Sequence, residues 1–245
     1  MSLATKSLSI QQIQHFRNSG YLKLEKRIPN VLVNNLINEI NKNLRLRLSP
    51  LHEHDNGVIY RLDNVYERGE IFKKLVKHPF IINSLTSLLG PNIEFALNRH
   101  NHATVNRITN RRFHRDILQW TRSVITVLVY LEKSTLENGC TEIIPSSQYL
   151  PYSGKPNNGG TWLDEDSRYA DLINQAIPIP MEKGGILFLD SLTFHSVGKN
   201  ISNNSRMSIA LGYHSVDELI GDNHKKTKIL VKGKRIYRGN IKFEE

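Results

Sequence analysis

The chain changes texture near Asn92, and that change limits what it can fold into. Before that point, apolar residues recur at helical spacing. After it come short runs rich in β-branched and aromatic residues, at 93–102, 124–132, 141–144, 186–190, 194–197 and 206–214. Clusters of Gly, Asn, Pro and Ser separate these runs, the punctuation expected of strands in a sandwich or barrel. In the first part, Ser9 and Gln12 form a capping-box pattern, with Ile10, Ile13 and Phe16 on one face and Gly20 as the stop. A second helix is predicted after Pro29, with Leu32, Leu36, Ile37, Ile40 and Leu44 as its apolar stripe. Residues 70–77 and 79–89 give a third and fourth, closed by Gly90-Pro91. The segment 146–176 reads as a long loop. The expected fold is mainly β with N-terminal helices: a double-stranded β-helix (jelly-roll, cupin-like) core packed by helices. It forms one domain over 1–245, with a mostly helical part at 1–91, the β core at 92–220 and a basic segment at 221–245.

Composition fits a globular protein: 39% of the 245 residues are apolar and 23% charged. Cys140 is the one cysteine, so no intrachain disulfide forms. The N-terminus lacks the apolar core of a signal peptide, and no apolar run approaches the roughly 20 residues of a membrane span. The expected location is therefore cytoplasmic, without a membrane partner. The net charge is +10, and residues 221–245 supply half of it, with eight Lys/Arg against three acids. Such a tail suits an anionic or carrier-tethered substrate, or simply a solvated end. It lacks the aromatic interleaving of single-strand binders, which argues against nucleic acid.

His114-Arg115-Asp116 carries the first chemical signal. Residues two apart on a strand point the same way, so an imidazole and a carboxylate here can grip one ion. A composition of ten His and 23 acids gives about one such triplet by chance, so the pair alone decides little. Further on, Gly184-Gly185 leads into a buried strand ending at Asp190, and the next strand carries His195. Arg206 and Ser208 then share one face of a third strand. Arg offers a carboxylate a rigid fork and Ser adds a hydroxyl, so a dicarboxylate held at one end by a metal would find its other end clamped. Two His and one carboxylate leave open positions on a metal, which non-haem Fe(II) oxygenases need for a bidentate cosubstrate and O2.

These motifs together resemble the phytanoyl-CoA dioxygenase-like family of Fe(II)/2-oxoglutarate oxygenases. The resemblance covers most of the chain. It begins with the helix and Ser-Gly-Tyr at 13–21 and runs through His114-Arg-Asp116. It continues with Glu137-Asn-Gly-Cys140 and Ile144-Pro-Ser-Ser-Gln148, and closes with Gly184-Gly185, His195 and Arg206-x-Ser208. It implies that His114, Asp116 and His195 bind Fe(II), and that Arg206 and Ser208 hold the far carboxylate of 2-oxoglutarate. It also implies that polar residues of the first core strand and the following loop reach the cosubstrate's near end. Asn98, His102 and Asn106 are candidates, with Asn98, His100 and His102 expected on one face of a single strand. Thr126, mid-run in an apolar strand, is a candidate to face the cosubstrate.

The expected reaction is hydroxylation of an aliphatic C–H in a small-molecule or carrier-/CoA-tethered substrate, with O2 consumed and succinate and CO2 released. Asp116 matters here, because related halogenases have a small residue at that position. The chain departs from the family at Pro145-Ser-Ser-Gln148, where Pro-Gly-Ser-His is common. His214 reads as structural, and His52-Glu-His54 lacks a third partner. Trp120, Trp162, Tyr149 and Tyr152 are candidates to line a substrate pocket, and Arg99, Arg115 and Arg122 to bind an anionic group. The rival reading is a non-catalytic β-scaffold binding module with a basic nucleic-acid-binding tail. A cupin-type metalloenzyme without cosubstrate would leave Arg206 and Ser208 unexplained.

Overall fold

Ser9 starts the first helix, α1 (Ile10–Ser19), by the reciprocal bonding its sequence suggests. Its side chain accepts from the Gln12 amide, and the Gln12 side chain accepts from the Ser9 amide. Gly20 ends the helix in the left-handed region at φ 78°, its N–H returning to the Phe16 carbonyl at 2.8 Å. This is a computed structural model that describes residues 7–105, 112–116, 124–150, 155–157, 160–163, 167–216 and 227–235. After α1 come β1 (Tyr21–Leu24), α2 (Asn30–Arg45), β2 (Leu51–Glu53), β3 (Ile59–Asp63), α3 (Glu70–Val76) and α4 (Pro79–Leu89). The four expected helices are present. α2 fully buries Val33, Leu36 and Ile40, while Leu32, Ile37 and Leu44 flank them half-buried. The first ninety residues are not all helical, however. β1 and the β2–β3 pair join the main sheet, too short for a periodicity argument to separate from loop.

The core strands follow: β4 (Ile93–Ala96), β5 (Asn101–Thr104), β6 (His114–Arg115), β7 (Val124–Tyr130) and β8 (Thr141–Ile143). Then come β9 (Lys155–Asn157), β10 (Gly160–Trp162), a short helix α5 (Ala170–Ile173), β11 (Ile177–Ile179), β12 (Ile186–Asp190), β13 (His195–Val197), β14 (Ser208–Ser215) and β15 (Lys228–Lys232). They pair antiparallel into two sheets. The larger has nine strands, ordered β1-β12-β7-β14-β5-β3-β2, with β4 also on β14 and β15 on β4. The smaller has six, ordered β11-β8-β13-β6-β10-β9. Two facing antiparallel sheets with helices packed outside are the expected jelly-roll.

Three expectations are corrected. The run 93–102 is not one strand: it breaks between β4 and β5 at a turn where His100 takes φ 49°. Segment 146–176 is not a bare loop, since β9 and β10 pair with each other and β10 adds to β6. Part of the basic C-terminal segment is folded, because β15 pairs with β4 and Arg235 reaches the buried Glu94.

Side-chain alternation in the large sheet divides two cores. Ile125, Val127 and Val129 of β7, with Ile209 and Leu211 of β14, face the helices. Tyr130 and Leu128 of β7 turn the other way, to Leu187 and Leu189 of β12 and Ile143 of the small sheet. Thr126 lies on this inner side too. β14 matches it with Ser208, Ala210 and Gly212 opposite Tyr130, Leu128 and Thr126. Small residues on that strand leave room between the sheets. Among the described residues no helix is long and apolar enough to cross a membrane.

Candidate metal centre

The small sheet brings His114 and His195 onto adjacent strands, where they are direct cross-strand partners. Their ring centroids lie 4.5 Å apart. Each ring is turned by a bond from Nδ1 to a backbone carbonyl, Arg112 O at 3.1 Å for His114 and Thr193 O at 2.9 Å for His195. That contact fixes the proton on Nδ1 and leaves Nε2 as a lone-pair donor. Asp116 sits just past β6, its N–H bonded to Ser191 O at 2.9 Å. Its Oδ1 lies 3.7 Å from His114 Nε2 and 3.6 Å from His195 Nε2. The three ligand atoms all fall within 4.8 Å of one another, the one such His/Cys/Asp/Glu group among the described residues.

The other carboxylate oxygen, Oδ2, accepts from Thr126 Oγ1 at 2.7 Å and lies 3.2 Å from His100 Nε2. Thr126 in turn meets Ser191 Oγ at 3.2 Å. Thr126 thus braces Asp116, a different contact from the expected one with the cosubstrate. Burial alone would raise the Asp116 carboxyl, but the imidazoles of His100, His195 and His114 hold it well below its ordinary value. Burial, reinforced by His195, pushes the His114 imidazole down to about 4. A buried carboxylate beside two imidazoles that each turn Nε2 toward it is the donor set a divalent first-row metal takes, so these residues fit an iron ion.

Arg206, Gly139 and Ser208 of the sequence motifs build the other end of the interior. Arg206 lies two residues before β14 and is buried. Glu132 pins its backbone, accepting from Met207 N at 2.8 Å and Ser205 Oγ at 2.9 Å. The guanidinium donates Nη1 to the carbonyl of Gly139. Gly139 takes φ 79°, and a Cβ there would strike Gly198 O at 2.2 Å, so only glycine fits. The Glu-Asn-Gly-Cys motif therefore has a physical task, which is to present that carbonyl. Beside it, Tyr130 Oη and Thr141 Oγ1 share a 2.6 Å hydrogen bond between the sheets. Burial lowers the Arg206 pKa from its ordinary value, opposed by Tyr130 and Cys140. Among the described residues no carboxylate lies within ion-pair reach of it, so a buried cation here fits the carboxylate of a bound dicarboxylic acid. Ser208, buried and facing inward at the start of β14, stands next to it.

The remaining predicted residues are placed unevenly. Asn98 is exposed in the β4–β5 turn and does not share a face with His102, because the turn interrupts the strand. His102 points inward opposite Ala210, its ring 5.7 Å from that of His100. Asn106, Trp120, Arg122 and Tyr152 lie outside the described residues. Trp162 pairs across from His114, with ring centroids 5.0 Å apart, and Arg112 stacks on it at 4.1 Å. Arg115 is structural, donating to Ser147 O and Leu150 O and lying over Phe194. Tyr149 is 62% exposed and bonds to Arg17 O. His214 is buried against Glu94, away from the triad. At the departure from the family motif, Ser146 takes the turn at φ 64°, and Gln148 bonds to the carbonyls of Arg17 and Asn18. His100 and Ser191 were not singled out as site residues by sequence. Ser191 left no signal, but Gly212 inside a central strand marks a close backbone approach, and it is the His100 turn that approaches.

The family model "Phytanoyl-CoA dioxygenase (PhyH)" matches residues 16–208. The chain is 21% identical over 239 residues to ectoine dioxygenase of Bordetella parapertussis, covering 87% of this chain and 78% of that one. It is 20% identical to human peroxisomal phytanoyl-CoA dioxygenase, covering 88% and 71%. In fold it is similar to the epimerase SnoN, solved with Fe3+, α-ketoglutarate and nogalamycin RO. That match has a TM-score of 0.68 at 16% identity and covers 92% of this chain and 96% of that one. With the His-x-Asp…His cluster inside the matched span, the chain belongs to the phytanoyl-CoA dioxygenase family and is an Fe(II)/2-oxoglutarate-dependent dioxygenase.

Proposed function

We propose that the protein hydroxylates an aliphatic C–H of a small-molecule or carrier-tethered substrate that bears an anionic group. His114, Asp116 and His195 would hold the iron, and Arg206 with Ser208 the far carboxylate of 2-oxoglutarate. The observation that carries this reading is Asp116 Oδ1, 3.6–3.7 Å from two imidazole nitrogens whose other ring nitrogens are already committed. When bound, iron and 2-oxoglutarate supply O2 activation, with succinate and CO2 as co-products.

The chain's own residues do the positioning. The two backbone carbonyls orient the imidazoles, Thr126 turns the carboxylate, and the apolar inner core of Leu128, Leu187 and Leu189 excludes water behind the site. Retention of a carboxylate at 116 supports oxidation over halide transfer. The anionic group is supported by Arg112, stacked on Trp162 beside His114, and by Arg99, half-buried and close enough to feel the Asp116 charge. Relatives named for ectoine and phytanoyl-CoA support a small or tethered substrate without choosing between them. The binding-module alternative loses ground where Lys232 is bonded to Thr86 and Arg235 to Glu94, since those basic groups are engaged within the fold.

The test is Asp116→Ala. It should abolish succinate formation from 2-oxoglutarate and the visible charge-transfer band of the anaerobic Fe(II)–2-oxoglutarate protein. Full turnover in this variant would remove the assignment.

A further inference from the structure

The two oxygens of Asp116 have separate neighbours. Oδ1 faces the two ligand imidazoles, whereas Oδ2 faces away from them, to Thr126 Oγ1 at 2.7 Å and His100 Nε2 at 3.2 Å. We propose that His100 is a positioning residue that, together with Thr126, occupies Oδ2 and so commits Asp116 to one-oxygen coordination of the metal. The inference rests on reading Asp116 as a metal ligand, as above. Its consequence is chemical. A carboxylate gripping the ion with both oxygens would consume a position that the cosubstrate or O2 needs, and one with Oδ2 already taken cannot.

Three further observations converge on His100. Its backbone is in the left-handed region at φ 49°, an unfavourable place for an imidazole-bearing residue where Gly would be unstrained. The turn that carries it is seated on Gly212, whose N–H donates to His100 O at 3.0 Å. A Cβ at 212 would meet Arg99 O at 2.5 Å, so a glycine in the middle of a central strand is what admits the turn. Gly212 is also the cross-strand partner of Thr126, so Thr126 and the seat of the His100 turn share one rung of the large sheet. Finally, His100 Nε2 is buried. Although 3.2 Å from Oδ2, it sits off the line of a well-formed hydrogen bond, and among the described residues it has no other hydrogen-bond partner.

The experiment compares wild type, His100→Gly, His100→Gln and Asp116→Ala as metal-free proteins titrated with Co(II), read by visible absorption, without and then with 2-oxoglutarate. Thermal melting of the metal-free forms is measured alongside. His100→Gly should weaken Co(II) binding about 10- to 100-fold without 2-oxoglutarate. Its melting temperature should be unchanged or higher, because Gly accepts this φ freely. His100→Gln, which keeps an N–H donor, should recover part of the affinity while melting lower than the Gly variant. A merely structural role would move stability and affinity the same way. Wild-type Co(II) affinity in His100→Gly, with Asp116→Ala unable to bind, overturns the inference alone. A loss seen only in 2-oxoglutarate affinity also overturns it, placing His100 on the cosubstrate. Wild-type Co(II) binding by Asp116→Ala overturns the metal reading itself.

Discussion

The large sheet and the small sheet face one interior but hold their residues in different ways. β7 and β14 pair over seven consecutive rungs, and β7 is covered by apolar side chains on both faces. β6, by contrast, is two residues long and meets β13 at the single rung His114–His195. The ladder cannot fix the proposed ligands of the small sheet to the precision a metal site needs. That task falls to bonds that leave the ladder: Nδ1 of His114 and of His195 to a carbonyl, Asp116 N to Ser191 O, and Asp116 Oδ2 to Thr126 of the large sheet. Stability therefore resides chiefly in one sheet and the proposed ligation in the other, and a few polar contacts couple them.

The largest effect should come from the large sheet alone. Phe188 on β12 is fully buried in the helix-side core. Phe188→Ala should cost about 3–5 kcal/mol in urea unfolding. The protein that remains folded should bind Co(II) with wild-type affinity. A parallel loss of affinity would show that the division between sheets is not real. Arg206 makes the opposite case. Arg206→Lys keeps the charge but not the fork, and should raise KM for 2-oxoglutarate by about 10- to 150-fold, the worth of charge-assisted hydrogen bonds. Co(II) affinity measured without 2-oxoglutarate should not move.

How much of this division could be read from sequence depends on which sheet is considered. The large-sheet strands at 124–130, 186–190 and 208–215 are apolar, continuous and bounded by turn residues, so their existence was legible. The helices were legible from Ser9, Gly20 and Pro79, because capping chemistry is local. That His114, Asp116 and His195 could share one metal was legible, and they do converge, because chemistry restricts which residue types can serve even where strands are two or three residues long. The missed elements have few residues and nonlocal causes. β1 is a strand because it pairs with β12, more than 160 positions away, and nothing within its four residues demands that. The hairpin β9–β10 did leave a signal in Asn158-Gly159, obscured by the surrounding Pro, Asn and Gly. Asn98 was misplaced because 93–102 alternates well as a strand, whereas the turn at His100 seats on Gly212 across the sheet, a nonlocal contact.

Acid should separate the sheets more gently. His114 titrates at about 4 in the folded protein against 6.5 for an unperturbed His, because burial and His195 disfavour its charge. Between those values the unfolded chain binds the proton and the folded one does not. Metal-free protein therefore loses stability as pH falls from about 6.5 to 4, and regains it as pH rises. His102, buried near Arg61 and His100, acts in the same direction. The His114 side chain is 32% exposed, so screening trims the effect to about 2 kcal/mol. In a chain of this size that is roughly 4–8 °C of Tm. A Tm independent of pH across this window would mean that the small sheet tolerates a charged imidazole.

The smallest effect tests the coupling itself. Thr126→Val nearly conserves shape and suits a strand, so the large sheet should lose no more than about 1 kcal/mol for the deleted hydroxyl. Yet Asp116 Oδ2 would lose its 2.7 Å donor and Ser191 Oγ a partner at 3.2 Å. The carboxylate is then free to rotate, and Co(II) affinity should fall about tenfold, the lower end of what removing such a partner costs. Thr126→Ser keeps the hydroxyl and drops a methyl. It should reverse the pattern, with near-wild-type affinity and a loss of about 1 kcal/mol in stability. If both variants bind Co(II) as wild type does, Thr126 is a strand residue only. The ligands of the small sheet would then be set by their own backbone contacts, without help from the sheet opposite.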